Sequence, residues 1–342
     1  MTMKKIISIF MSGFLMILTS CGVTPESSQK SSVNISNTSN QFANINTTVG
    51  EVISNPAFED FGRLLFPVDR TVTDDMTLAE ISTSRVYTWY NNIQSDKTVE
   101  IINVLAERAE NGQQIFYSIY SEEEMQADES KRDTGLFFFK GEAGAKFSIM
   151  NAGGGFAYVG AMHDSFPHAL EVSKMGYNAF ALIYRPDDPY NDLAKAIEFI
   201  YDHAEELEVD TDYYSLWGGS AGARMAATLG NADNLTALTQ RKDIKQAGAV
   251  IMQYTGYNSV SSSDAPTYAC VGTSDGIANY KTMQNRLEML ESYSIATEFH
   301  AYEGLPHGFG IGTGTNADGW IYDAVSFWEN QMYDDNIPEH RQ

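Results

Sequence analysis

The residues that could do chemistry begin with Gly218-Gly219-Ser220-Ala221-Gly222, a Gly-x-Ser-x-Gly pattern. Residues 213–217 before it are aromatic and apolar, as in a buried strand; residues 221–229 after it are small and helix-forming. That context predicts a sharp strand–turn–helix, in which only small flanking residues let the two arms approach. The turn forces the serine into a strained backbone and lifts its hydroxyl clear of the sheet. It also sets the hydroxyl at a helix N-terminus, where N–H groups can face an anion. A flexible glycine-serine turn uses the same residue types, so the reading depends on finding partners.

A serine hydroxyl is a poor nucleophile at neutral pH and needs a base. Of six histidines, His340 lies in a terminal tail, His203 in a helix and His300 inside the last expected strand. His307 follows that strand in the glycine-bearing loop 303–310 and is the candidate base. A carboxylate must then hold the imidazole tautomer. Asp275 follows the penultimate strand, at the rim where the serine sits, whereas the rival Asp264 precedes that strand. The glycines of Asn151-Ala152-Gly153-Gly154-Gly155-Phe156 can present backbone N–H groups to a developing oxyanion. The expected donors are Gly154, Gly155 and Ala221. No phosphate-loop or dinucleotide pattern competes for these glycines. His163, Asp164 and His168 lack the spacing of a helical metal pair. They are expected to border the pocket with Phe156 and Tyr158, and no metal or cofactor is expected. Arg185 is expected to pair with Asp187 or Asp188.

Positioning these groups takes a regular scaffold. Short strands are expected at 115–120, 135–139 and 146–150, opening the sheet in antiparallel fashion. Strands at 178–184, 213–217, 247–254, 265–272 and 295–302 then alternate with helices at 165–175, 192–206, 221–229, 279–292 and 318–332. Alternation of this kind predicts βαβ units and a mostly parallel sheet, with the site at the carboxyl ends of its strands. Ahead of it, residues 78–93 and 98–109 carry helical periodicity, so 49–112 is expected to be a helical segment, either a lid or packing.

The chain has 342 residues, 43% of them hydrophobic, enough for one large α/β domain. Twenty-two basic and 45 acidic residues give a formal net charge of −23, which argues against nucleic acid and anionic surfaces as partners. Lys4 and Lys5 followed by an apolar run to Leu18 predict a signal peptide over 1–20. The ending Leu18-Thr19-Ser20-Cys21 resembles a bacterial lipobox, with Cys21 as the lipid-attachment residue. The protein is then expected to be exported and lipid-anchored to the outer side of a bacterial membrane, with no other membrane contact. Residues 21–48, rich in Ser, Asn, Thr and Gln, are expected to be a disordered tether. The second cysteine, Cys270, is expected to be buried in a strand and unpaired.

From about residue 135 to 332 the chain resembles the α/β-hydrolase superfamily, in its esterase/lipase branch of acetyl-xylan-esterase-like and hormone-sensitive-lipase-like enzymes. The order Ser220, Asp275, His307 and the glycine loop carry the resemblance. Ala152 departs from it, since many of those enzymes have histidine there. The resemblance implies an α/β-hydrolase fold over 113–335, with a mostly parallel sheet of about eight strands flanked by helices. It also implies a serine carboxylesterase working through an acyl-enzyme on a small-molecule or carbohydrate ester, with deacetylation of carbohydrate as one outcome. A serine peptidase of the same fold and a catalytically silent binding module are the alternatives. Oligomeric state is not legible.

Overall fold

Most strands are short runs rich in apolar residues, and several are buried along their whole length. They are β1 (Phe116–Tyr117), β2 (Gly135–Phe139), β3 (Lys146–Asn151), β4 (Asn178–Ile183), β5 (Asp210–Gly219), β6 (Ala249–Gln253), β7 (Thr267–Gly272) and β8 (Thr297–Tyr302). β2, β4, β6 and β7 have no exposed position, so both sheet faces must be covered, as βαβ crossovers do. The computed structural model describes residues 41–333. It forms one eight-stranded sheet in the order β1-β2-β4-β3-β5-β6-β7-β8. All pairings from β4 through β8 are parallel; β1–β2 and β2–β4 are antiparallel.

The antiparallel opening is therefore shorter than expected. β3 does not pair with β2 but lies parallel between β4 and β5. The 26 residues from Ala152 to Tyr177 allow this, because they hold the crossover helix Phe166–Lys174, and a parallel connection needs such length. β1 shrinks to two residues because only Phe116 and Tyr117 find partners on β2. The expected helix 192–206 breaks into Pro189–Asp202 and Ala204–Leu207. Cys270 is buried and unpaired.

The N-terminal segment differs most. Helical periodicity over 78–93 yields a helix only at Leu78–Thr83, then a single 3-10 turn at Arg85–Tyr87. The run Ser82-Thr83-Ser84 diverts the backbone: Ser82, Thr83 and Ser84 hydroxyls donate to carbonyls three or four residues back, and Ser84 caps the next turn through Val86 N. Residues 88–94 run on as a loop. The helix Ser95–Glu110 follows, burying Ile101, Ile102, Leu105 and Ala106. The turns before it pack with the sheet: Phe61 stacks on Phe116 at 4.8 Å and meets Phe137 edge-on. Residues 41–48, expected to be tether, are held in place. Ala43 is buried, its N–H and C=O both bonded to the Asn103 amide, and Thr48 forms a capping box with Glu51. The signal peptide, Cys21, the rest of the tether and His340 lie outside the described residues.

One polar cluster ties the loop region between β1 and β2 to the end of β4. The Asp192 carboxylate, fully buried, accepts from Arg185 N (2.6 Å), Arg185 Nη2 (2.6 Å) and Tyr120 Oη (2.6 Å). Arg185 also pairs with Asp128 and Asp188, so the partner expected from adjacency is the minor one. Deleting one member of a buried pair strands the other. Asp192→Ala is expected to lower unfolding free energy by about 3 kcal/mol, read from urea denaturation; a loss under about 1 kcal/mol would contradict this role.

Candidate active site

Ser220 follows β5 and opens the helix Ala221–Leu229, at φ 52° and ψ −112°. Both flanking glycines are sterically required. A Cβ on Gly218 would come within 2.2 Å of the Gly222 carbonyl carbon, and one on Gly222 within 1.9 Å of the Asn151 carbonyl oxygen. The Asn151 amide donates to Trp217 O at 2.8 Å, holding the end of β3 against β5 beneath the turn. Ser220 N–H donates to Gln253 O at 2.9 Å, fixing the turn to the end of β6.

His307 and Asp275 reach this point from the next two strand ends. His307 Nε2 lies 3.1 Å from Ser220 Oγ, and His307 Nδ1 lies 2.7 Å from Asp275 Oδ2. The other Asp275 oxygen accepts from the N–H groups of Ile277 and Ala278, both at 2.7 Å, which clamps the carboxylate within its own turn. The carboxylate is buried and His307 nearly so. In the tautomer whose Nδ1–H donates to Asp275, Nε2 presents its lone pair to the Ser220 hydroxyl. Asp264 is elsewhere, in a buried pair with Arg286 at 3.1 Å.

Gly154 and Gly155 border the same cavity as Ser220 and His307, a space of about 320 Å³ completed by Trp89, Tyr90 and Ile277. Both glycines have positive φ, 131° and 63°, which aims their peptides in directions that side-chain-bearing residues resist. Among the described residues, the N–H groups of Gly154, Gly155 and Ala221 have no hydrogen-bond acceptor. Gly153 N–H is committed, donating to Asp164 at 2.7 Å.

Asp164 is the residue that sequence reasoning misplaced. It was expected at the pocket border with His163, His168, Phe156 and Tyr158; none of the five lines the cavity. Asp164 is buried beneath it, accepting from Gly153 N–H, Tyr90 Oη (3.1 Å) and the Tyr254 hydroxyl. Gly219 leaves room for it: a Cβ there would fall 2.3 Å from the carboxylate. One carboxylate thus joins the glycine loop, a cavity-wall tyrosine and Tyr254, whose ring meets His307 edge-on at 5.0 Å. Burial pushes the Asp164 carboxyl up to about 6, against hydrogen bonds that favour its charge. Burial pushes His163 down to about 4 and His168 to about 3, so both sit neutral; His163 Nε2 lies 3.2 Å from Gly308 O. Among the described residues no group of His, Cys, Asp and Glu could hold a metal.

Trp89, Tyr90 and Ile277 carried no sequence signal. Trp89 and Tyr90 fall in the stretch read as helix, and Ile277 merely follows the acid. The loop 88–94 is tied to the His307 loop: Asn91 donates to His307 O (2.7 Å) through its amide and to Gly308 O (2.9 Å) through its N–H.

The buried Asp164 makes a pH prediction. Its folded pKa of about 6 exceeds the unfolded value, so between pH 4 and 6 the native state binds more protons and this group's contribution falls as pH rises. His163 and His168 act oppositely, losing stability as pH falls below the unfolded histidine value. Asp164→Asn should remove only the first effect. Across pH 4 to 7 the variant should gain about 2 kcal/mol relative to the native protein, measured by denaturant titration at each pH. Parallel curves would contradict the burial cost.

Residues 145–286 match the family described as BD-FAE. No curated protein matches the chain. Similar solved structures include the carboxylesterase of Lactobacillus plantarum, at TM-score 0.52 and 17% identity over 58% of this chain and 92% of that one. An acetyl ester-xyloside bifunctional hydrolase from Caldicellulosiruptor lactoaceticus gives 0.51 and 17%, over 58% and 89%. A sugar hydrolase from Lactococcus lactis gives 0.51 and 18%, over 59% and 95%. With a mostly parallel eight-stranded sheet flanked by helices, this chain has the α/β-hydrolase fold, and its residues 145–286 are similar to the BD-FAE family.

Proposed function

We propose that the protein is a serine carboxylesterase that works through an acyl-enzyme. The carrying observation is the chain of contacts from Asp275 through His307 to Ser220, beside three uncommitted backbone donors. Ser220 Oγ attacks the ester carbonyl as His307 Nε2 takes its proton. The carbonyl oxygen becomes an oxyanion held by the N–H groups of Gly154, Gly155 and Ala221. Collapse expels the alcohol, which takes the proton from His307. Water, deprotonated by His307, then attacks the acyl-serine and frees the carboxylic acid. Asp275 keeps the tautomer and stabilises the imidazolium.

A cavity of about 320 Å³ favours a small acyl group and a compact alcohol. The names of two similar structures, a hydrolase of acetyl esters and xylosides and a sugar hydrolase, support acetyl groups on carbohydrate as the substrate class. The leader and lipobox support an exported enzyme anchored through Cys21.

Hydrolysis of p-nitrophenyl acetate tests the mechanism. Ser220→Ala should lose at least about 10³-fold in kcat, and Asp275→Asn about 10⁴-fold with KM little changed. Undiminished turnover in Ser220→Ala would refute the nucleophile. For the anchor, radiolabelled palmitate should enter the native protein in bacterial cells and fail to enter Cys21→Ala; label surviving that substitution would remove the anchor.

A further inference from the structure

We propose that Trp89 is a stacking platform that selects esters carrying a ring with an apolar face, a pyranose or an aryl ring, beside the scissile bond. The inference rests on the esterase reading and deepens it. Seven large hydrophobic side chains are exposed among the described residues, and two of them, Trp89 (44%) and Ile277 (59%), border this one cavity. Trp89 lies over the glycine loop: a Cβ on Gly155 would sit 3.2 Å from its indole ring. Tyr158 stacks on the indole at 6.0 Å and 20°, and the Arg70 guanidinium lies 5.9 Å from it. What remains exposed borders the cavity that holds Ser220 and His307.

The backbone supports a purpose for this ring. Trp89 sits at φ 78°, a conformation natural for glycine and costly for a bulky residue. Such strain persists only where the surroundings over-determine it. They do so here: the Tyr158 hydroxyl donates to Thr88 O, Asn91 holds His307 O and Gly308 O, and the Asn92 amide donates to Thr313 O at 3.0 Å. A glycine would meet the turn's demand with no strain, whereas tryptophan adds a ring that borders the cavity. A partly exposed aromatic ring beside Ser220 suits the C–H face of a sugar or a second aromatic ring.

Trp89→Gly removes the ring while accepting the backbone. The test compares kcat/KM on three acetates: acetylated methyl xyloside, phenyl acetate and ethyl acetate, the last having no ring. The ratio of ring ester to ethyl acetate should fall about tenfold, through KM, in line with one stacking contact. Trp89→Phe should fall between the native protein and Trp89→Gly. A fall for one ring ester alone identifies which ring the platform serves. An unchanged ratio for both, or an equal loss on all three acetates, overturns the proposal while leaving the esterase reading intact. If the native protein hydrolyses none of the three, the esterase reading fails instead. The platform is then judged by calorimetric binding of acetylated methyl xyloside and phenyl acetate in Ser220→Ala. Trp89→Gly should weaken the binding of at least one about tenfold; unchanged or absent binding of both overturns it.

Discussion

A serine at φ 52° and ψ −112° carries a backbone cost of about 1–3 kcal/mol, and the site depends on that cost being met. The turn survives because its neighbours leave it nowhere to relax. Gly218 and Gly222 bring strand and helix into contact closer than any Cβ permits. Asn151 locks the adjacent strand end, and Gln253 takes the serine's own N–H. The hydroxyl is thereby raised to the rim where β7 and β8 deliver Asp275 and His307. Relaxing the turn would move Oγ out of reach of Nε2, so the strain is inseparable from the proposed chemistry.

Beneath that rim, Asp164 holds the glycine loop much as Asp275 holds His307. Its carboxylate gathers Gly153 N–H, Tyr90 and Tyr254, and the missing side chain of Gly219 makes its room. Taking the Gly153 donor turns that peptide inward and leaves the next two N–H groups without protein acceptors. This loop has Ala152 ahead of its glycines, with no histidine beside them. Backbone donors held by a buried carboxylate need no histidine at that place.

The parts legible in the sequence are those set by local rules. The Ser220 turn, the glycine loop and the loops of Asp275 and His307 each lie within a few residues of a strand end, and strand ends follow from short apolar runs bounded by turn residues. Strand order was less legible. β3 and β2 are separated by a short turn and read as a hairpin, yet β3 pairs with β4 and β5, a choice made by distant partners. The loop carrying Trp89 and Tyr90 was illegible for the same reason. Its apolar spacing imitates a helix, while its course is set by Asn91 bonding across 216 positions to His307 O. Asp164 was visible as a residue near the glycines, but its burial depends on Gly219 and Tyr254, which only the folded chain brings together.

The central claim is that this particular serine is the activated nucleophile. Its most direct test is treatment of the intact protein with a fluorophosphonate, followed by peptide mass spectrometry. A single adduct on Ser220, formed in the native protein and lost in His307→Ala, is the predicted result. No adduct, or one on another residue while Ser220 stays unmodified, would contradict the account.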